Sequence, residues 1–332
     1  MIKTLTGIFI LLSSISYAQD RTGATQFDEF ISKSAIEWAA YVNDEVKFEK
    51  VQLNRLLLER LIKKEIKATL PVYYGLNDAN PITYLDKDSV DNVMLYPGNR
   101  LLPYDSTGND PAIDPETSKN GLHTDSLIFT DIIQILYVEN GRLKSYVPWV
   151  SPMMPIRTSQ GLYLGSGDYF STCFSFRYNH PQRKKRKDMF LTETKRRINL
   201  DSAGVISNIK QLYDRNLVET LWPFILEGKP GAFSVETDTR LKKEEINEYL
   251  LNKTRIAVPV YDSTGTPSGF EYRRTVFEPG KITRIELVQD WYYSRKDNIV
   301  FNKIKELFLY VKTASADEEN PGYRPVLKIV FN

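Results

Sequence analysis

Ile282-Thr283-Arg284-Ile285-Glu286-Leu287-Val288-Gln289-Asp290-Trp291-Tyr292-Tyr293-Ser294-Arg295-Lys296 first alternates polar and apolar side chains. It then runs through an acid and three aromatics into a charged turn, and a second apolar run, 299–311, follows at once. Two such segments joined by a short polar connection predict an antiparallel hairpin, with strands over 282–294 and 298–312. Successive strand residues point to opposite faces, so Trp291 and Tyr293 share one side and Tyr292 takes the other. One side can pack in a core while the other offers an aromatic to a partner, a role that Tyr and Trp fill well. For these three residues the sequence leaves core and interface open.

Working outward, the hairpin has an earlier counterpart. Ile132-Ile133-Gln134-Ile135-Leu136-Tyr137-Val138 parallels Leu287-Val288-Gln289-Asp290-Trp291-Tyr292-Tyr293, 155 residues apart. The turn Tyr104-Asp105-Ser106-Thr107-Gly108 recurs at Tyr261-Asp262-Ser263-Thr264-Gly265, 157 residues on. A leucine stripe at Leu53, Leu57, Leu61 and Ile62 recurs at Leu217, Leu221, Ile225 and Leu226, 164 residues on. Asp-Ser-Thr-Gly is common turn chemistry and leucine stripes mark any amphipathic helix. The shared order is what argues for one plan written twice.

The expected fold class is therefore α+β, in two related halves, each with short helices followed by mainly antiparallel β-hairpins. Helices are expected at 27–42, 52–67, 203–213, 217–227 and 241–250. Strands are expected within 127–150 (turning at Asn140-Gly141) and 161–178, and at 254–261, 269–278, 282–294, 298–312 and 325–331. Trp38 and Trp222 read as core residues on helices. Four segments follow: 1–18 a signal peptide, 19–179 an N-terminal half, 180–199 a basic linker and 200–332 a C-terminal half. The linker carries Arg183, Lys184, Lys185, Arg186 and Lys187, then Lys195-Arg196-Arg197.

The N-terminus sets the compartment. Lys3, an apolar stretch over 5–15 and the small residues Ser16 and Ala18 make a secretory signal peptide too short to span a bilayer permanently. No later run suits a membrane span, so an integral membrane protein is not expected. Export argues against nucleic acid as a partner for the basic run. It leaves a solvated linker, or docking onto an acidic partner or anionic headgroups, a contact that salt would weaken. A net charge of +2 selects no partner class.

Candidate chemistry is sparse. The one cysteine, Cys173, reads as a small inert thiol on a strand. His123 and His180 have no ligand neighbours at zinc spacing. There is no Gly-x-Ser-x-Gly elbow, Walker loop or dinucleotide fingerprint; Gly165-Ser166-Gly167-Asp168 reads as a turn. The loop Asn109 to Glu116 is a poor EF-hand, with weak calcium binding left open. Asp131, Asp290, Glu286 and Glu306 fall on expected strands, and a glycosidase would need two of them across a cleft. No catalytic, cofactor or metal residues are assigned, and a non-enzyme is expected.

Residues 203–332 resemble the GldN/PorN family, periplasmic components of the Bacteroidetes type IX secretion and gliding machinery. Asp290-Trp291-Tyr292-Tyr293 stands where the family has Asp/Glu-Trp-Phe-Phe, and Leu307-Phe308-Leu309-Tyr310 is similar to its Pro-Leu-Phe-Trp-x-Tyr strand. Glu227 to Phe233 is similar to its Gly-Lys-Ile-x-Ala-Tyr turn, and Tyr323 to Leu327 to its close. The family's early Trp-Arg-x-Ile-Asp-Leu-Arg block is not legible, which fits a diverged paralogue. The resemblance implies a non-enzymatic periplasmic ring component under the outer membrane. Its partners would be a GldK/PorK-like outer-membrane lipoprotein and the periplasmic domains of a GldM/PorM-like motor protein. Trp291, Tyr292, Tyr293, Arg295 and the run Arg183 to Lys187 are the candidate partner-binding residues. The alternative function is a periplasmic glycan- or peptidoglycan-binding module reading saccharide through Trp291 or Trp149.

Overall fold

The computed structural model describes residues 30, 36–48, 53–69, 129–155, 170–172, 174–178, 181, 184–200, 209–211, 216–253, 255–274, 276–312 and 322–331. The signal peptide, the turn at 104–108, the loop at 109–116, Gly165 to Asp168, both histidines, Cys173 and Arg183 lie outside them. The described fold is α+β with antiparallel pairing. The chain divides into two compact units, residues 1–34, 60–127 and 151–177, and residues 35–59, 128–150 and 178–332.

In the second unit, β1 (Ile36–Lys47) pairs antiparallel with β2 (Phe129–Glu139), and β2 turns into β3 (Arg142–Pro155). The turn is Asn140-Gly141, as expected, with φ of 53° and 68°, the left-handed pair that a two-residue hairpin needs. Gly141 is required twice over, because a Cβ there would stand 2.3 Å from the Phe224 ring. That ring belongs to α2 (Leu217–Leu226), whose first turn is capped by Asn216 accepting from the Val218 amide at 2.8 Å. A short strand, β7 (Ile209–Gln211), pairs with the other edge of β1 at Ala40–Val42.

A five-stranded sheet runs in the order β6-β11-β12-β13-β8. Its strands are β6 (Met189–Asn199), β8 (Gly231–Phe233), β11 (Arg284–Ser294), β12 (Ile299–Lys312) and β13 (Tyr323–Val330). The hairpin expected from the opening stretch is thus present as β11–β12. Both sheets feed one apolar cluster: Trp38, Ala40 and Val42 from β1, Leu136 and Val138 from β2, Ile285 and Leu287 from β11, Leu307 and Leu309 from β12, and Leu221 and Ile225 from α2. A third helix, α3 (Lys243–Lys253), adds Ile246 and Leu250, and leads into a separate two-stranded hairpin, β9 (Arg255–Tyr261) with β10 (Pro267–Arg274).

The first unit retains the end of α1 (Leu53–Ile62) and the end of β3, which pairs with β4 (Phe170–Thr172). Within it Thr69 bridges Ser175, just before β5 (Phe176–Arg177), and Ser151 and Ser175 share a hydrogen bond of 2.6 Å. No helix among the described residues is long and apolar enough to cross a membrane.

Four expectations are corrected. Residues 36–42, read as the end of a helix, are strand. Trp38, Ala40 and Val42 have the two-residue period of a buried strand face, and eleven residue pairings with β2 outweigh local propensity. Residues 209–211, read within a helix at 203–213, are β7. Residues 189–199, assigned to the linker, are β6, because alternate side chains there face the core while Glu193, Lys195 and Arg197 face out. Finally, 180–199 does not separate two contiguous domains. The second unit takes β1 and the β2–β3 turn from the N-terminal half, since the inward faces of both sheets need each other for burial.

Candidate functional site

The β11–β12 hairpin carries two different surfaces. On the inward side, Trp291 and Tyr293 are 0% and 1% exposed. Trp291 donates its indole N–H to Thr194 Oγ1 on β6 at 2.9 Å and meets Phe48 edge-to-face at 6.1 Å. Tyr293 donates its hydroxyl to Asn298 Oδ1 at 2.9 Å. Asn298 holds φ of 54° in the β11–β12 turn, so this bond braces a turn residue in the left-handed region.

Tyr292 points to the opposite side yet is only 4% exposed. Its ring stacks on Phe301 of β12 at 5.6 Å and meets Phe190 of β6 edge-on at 5.8 Å. Lys184 Nζ stands 4.5 Å above the same ring, a cation–π contact, and the Tyr292 hydroxyl donates to Asp290 Oδ2 at 3.2 Å. The sequence left core and interface open for these aromatics; all three are covered within the chain. Exposure passes instead to Phe190, at 47%.

The basic run and the hairpin, far apart in sequence, come together here. Lys185 Nζ donates to Asp297 Oδ2 at 2.8 Å, and Ser294 Oγ donates to the same oxygen at 2.9 Å. These hydrogen bonds, that from Lys185 foremost, hold the Asp297 carboxyl below its usual range and raise the Lys185 amine above its own. The Lys185 amide also donates to Asp188 Oδ2 at 2.5 Å, closing a turn into β6, and Arg295 reaches the Met189 sulfur at 3.6 Å. Lys184 and Lys185 are therefore lashed to the sheet. Arg186 and Lys187 are exposed, with no carboxylate within ion-pair distance among the described residues.

Along the outer face, charges pair across strands. Arg197 donates to Glu286 at 3.0 Å, and Lys305 bridges Glu193 at 2.6 Å and Asp290 at 3.6 Å. Glu286 and Asp290, two of the four carboxylates considered for an enzyme, are thus bound to cations, and Glu306 lies 3.7 Å from Lys328. Among the described residues no group of three His, Cys, Asp or Glu side chains could hold a metal ion. Sequence reasoning missed Phe190, Phe301 and Asp297. Only Asp297 carried a local signal, since Ser294 and Asp297 bracket a polar turn.

A buried polar cluster crosses between the two sheets. Gln289 Nε2 donates to Gln134 Oε1 at 2.9 Å, and Gln134 Nε2 faces Gln289 Oε1 at 3.4 Å. Ser145 and Asn302 each donate to Gln134 Oε1 at 3.0 Å, and Gln289 also donates to Asn302 Oδ1 at 3.1 Å. Both glutamines are 0% exposed, so their amides depend on each other. Gln289→Leu is expected to cost about 1–3 kcal/mol by leaving Gln134 underbonded, while Gln134→Leu with Gln289→Leu costs less than the two single losses summed. A double-mutant cycle from urea denaturation reads this directly, and strict additivity would disprove the coupling.

Comparison with known proteins finds no matching family model and no significant match among curated proteins.

Proposed function

We propose that this chain is a non-enzymatic structural component of a type IX secretion or gliding machine, a diverged GldN/PorN-like protein. On this reading it is exported by a cleaved signal peptide and forms a ring beneath the outer membrane with a GldK/PorK-like lipoprotein, engaging a GldM/PorM-like motor protein. Its two halves descend from one duplicated unit, fused so that the repeats close on each other.

The secretion reading rests on the resemblance of residues 203–332, Asp290-Trp291-Tyr292-Tyr293 above all; what supports the duplication is the reciprocal Gln134–Gln289 pair. These residues are counterparts in the sequence repeat, and they bond to each other in the core. A residue that meets its own counterpart is what a two-fold relation between repeats would produce, as in a symmetric dimer. The strand register extends it. Gln134 lies opposite Val42 and Gln289 opposite Thr194, which makes Asp44 the counterpart of Arg196, and these two form an ion pair. Identical side chains there would repel if charged; opposite charges are what a fused, diverged pair can use. The order β1-β2-β3 matches β6-β11-β12, and the Thr69–Ser175 bridge has its parallel in the pairing of Phe233 with Lys328.

The glycan-binding alternative needs an exposed aromatic platform. Trp291 and Trp149 are 0% and 3% exposed, which weighs against a platform built on them.

Co-expression with a GldK-like lipoprotein from the same genome, followed by co-purification and particle imaging, tests the proposal. The expected result is a stable complex with ring-shaped particles. A well-folded monomer that ignores the lipoprotein at micromolar concentration would refute it.

A further inference from the structure

The free edge of β6 is an eleven-residue strand, and no other strand pairs with it among the described residues. Its counterpart β1 is different: that edge is taken by β7, antiparallel, at Ala40–Val42. The register makes Val42 the counterpart of Thr194, so the matching stretch of β6 is centred on Thr194. Thr192, Thr194 and Arg196 are only half-buried although their side faces the core, as an uncovered edge requires.

This edge is strongly cationic. Residues 184–199 hold seven Lys and Arg (184, 185, 186, 187, 195, 196, 197) against two acids, Asp188 and Glu193. Lys185, Arg196 and Arg197 are neutralised by Asp297, Asp44 and Glu286. Arg186, Lys187 and Lys195 are exposed, with no ion pair among the described residues, and Phe190 adds an exposed ring where β6 begins. Lysine on an edge strand blocks pairing with another strand of the same charge, which disfavours a second copy of this chain. The same charge favours an acidic strand.

We infer that β6 docks an extended acidic segment of another polypeptide, added antiparallel as the next strand of the sheet. Backbone hydrogen bonds along 192–196 supply the register, while Arg186, Lys187 and Lys195 meet the acidic side chains. The inference goes beyond the ring reading and does not depend on it.

The test uses the whole mature chain and a fluorescein-labelled octapeptide in which glutamate alternates with valine and threonine, followed by anisotropy. Saturable binding is expected, weakening as salt is raised. Lys187→Glu with Lys195→Glu, both exposed and leaving the circular dichroism spectrum unchanged, is expected to weaken it at least tenfold. Methylating alternate backbone amides of the peptide is expected to weaken it by a similar factor, because methylation removes the donors a strand needs while keeping every charge. Equal affinity for the methylated peptide, equal affinity for a lysine-for-glutamate peptide, or no saturable binding would each overturn the inference. Adsorption to phosphatidylglycerol vesicles without peptide binding would also overturn it and assign the cations to lipid.

Discussion

Arg196→Met is expected to lower the unfolding free energy by about 3–5 kcal/mol, the usual cost of removing one partner from a buried ion pair. Asp44 is 6% exposed on the core side of β1, between Val42 and Val46, and the guanidinium of Arg196 on β6 is its ion-pair partner. Burial lowers the Arg196 pKa, as expected for a guanidinium that has lost part of its hydration. Methionine keeps much of the stem volume, so the loss reports the stranded carboxylate rather than a cavity. Asp44→Leu combined with Arg196→Met is expected to recover most of the loss, since an apolar pair of similar volume avoids both desolvation costs. Urea midpoints of the four proteins measure it. A single-variant cost below about 1 kcal/mol would mean that the pair is solvated and the argument wrong.

Asp131→Asn is expected to stabilise the protein above neutral pH and to flatten its stability between pH 4 and 7. Asp131 lies on the outer side of β2 opposite Glu45 of β1, and its Oδ1 is buried without a hydrogen-bond partner. Burial first, and the Glu45 charge second, raise its carboxyl from 3.8 to about 7, against a lowering hydrogen bond from the Ile132 amide. Between those values the folded chain keeps a proton that the unfolded chain has lost. The stabilisation is therefore complete below about pH 4 and is lost as pH rises through 7. The shift of about three units corresponds to at most ~4 kcal/mol, and asparagine, which never ionises, escapes the loss. In the other sheet the corresponding cross-strand pair is Arg197 with Glu286, an ion pair at 3.0 Å. Glu45→Arg should thus recreate that arrangement and return the Asp131 carboxyl toward its ordinary range. Denaturation at pH 5 and pH 8 decides the matter, and parallel pH profiles for wild type and Asp131→Asn would refute it.

The sequence by itself determined the elements whose signals are local. Strict alternation with β-rich residues marked β11 and β12, Asn140-Gly141 marked the β2–β3 turn, and the leucine stripes marked α1 and α2. It also set Gln134 and Gln289 at matching positions of the expected repeat, two residues that hydrogen-bond to each other in the core. Tertiary structure decided everything that rests on pairing between distant segments. Residues 36–47 became strand because β2 offers a full ladder, a term invisible in a local window. The basic run became an anchored entry to β6 because Asp297, 112 residues after Lys185, supplies the counter-charge. Trp291 and Tyr292 both became buried because a sheet has two faces and each found a cover, one in Phe48 and Thr194, the other in Phe190, Phe301 and Lys184. Alternation states that neighbouring side chains part to opposite sides; only the packed chain states what lies on each side.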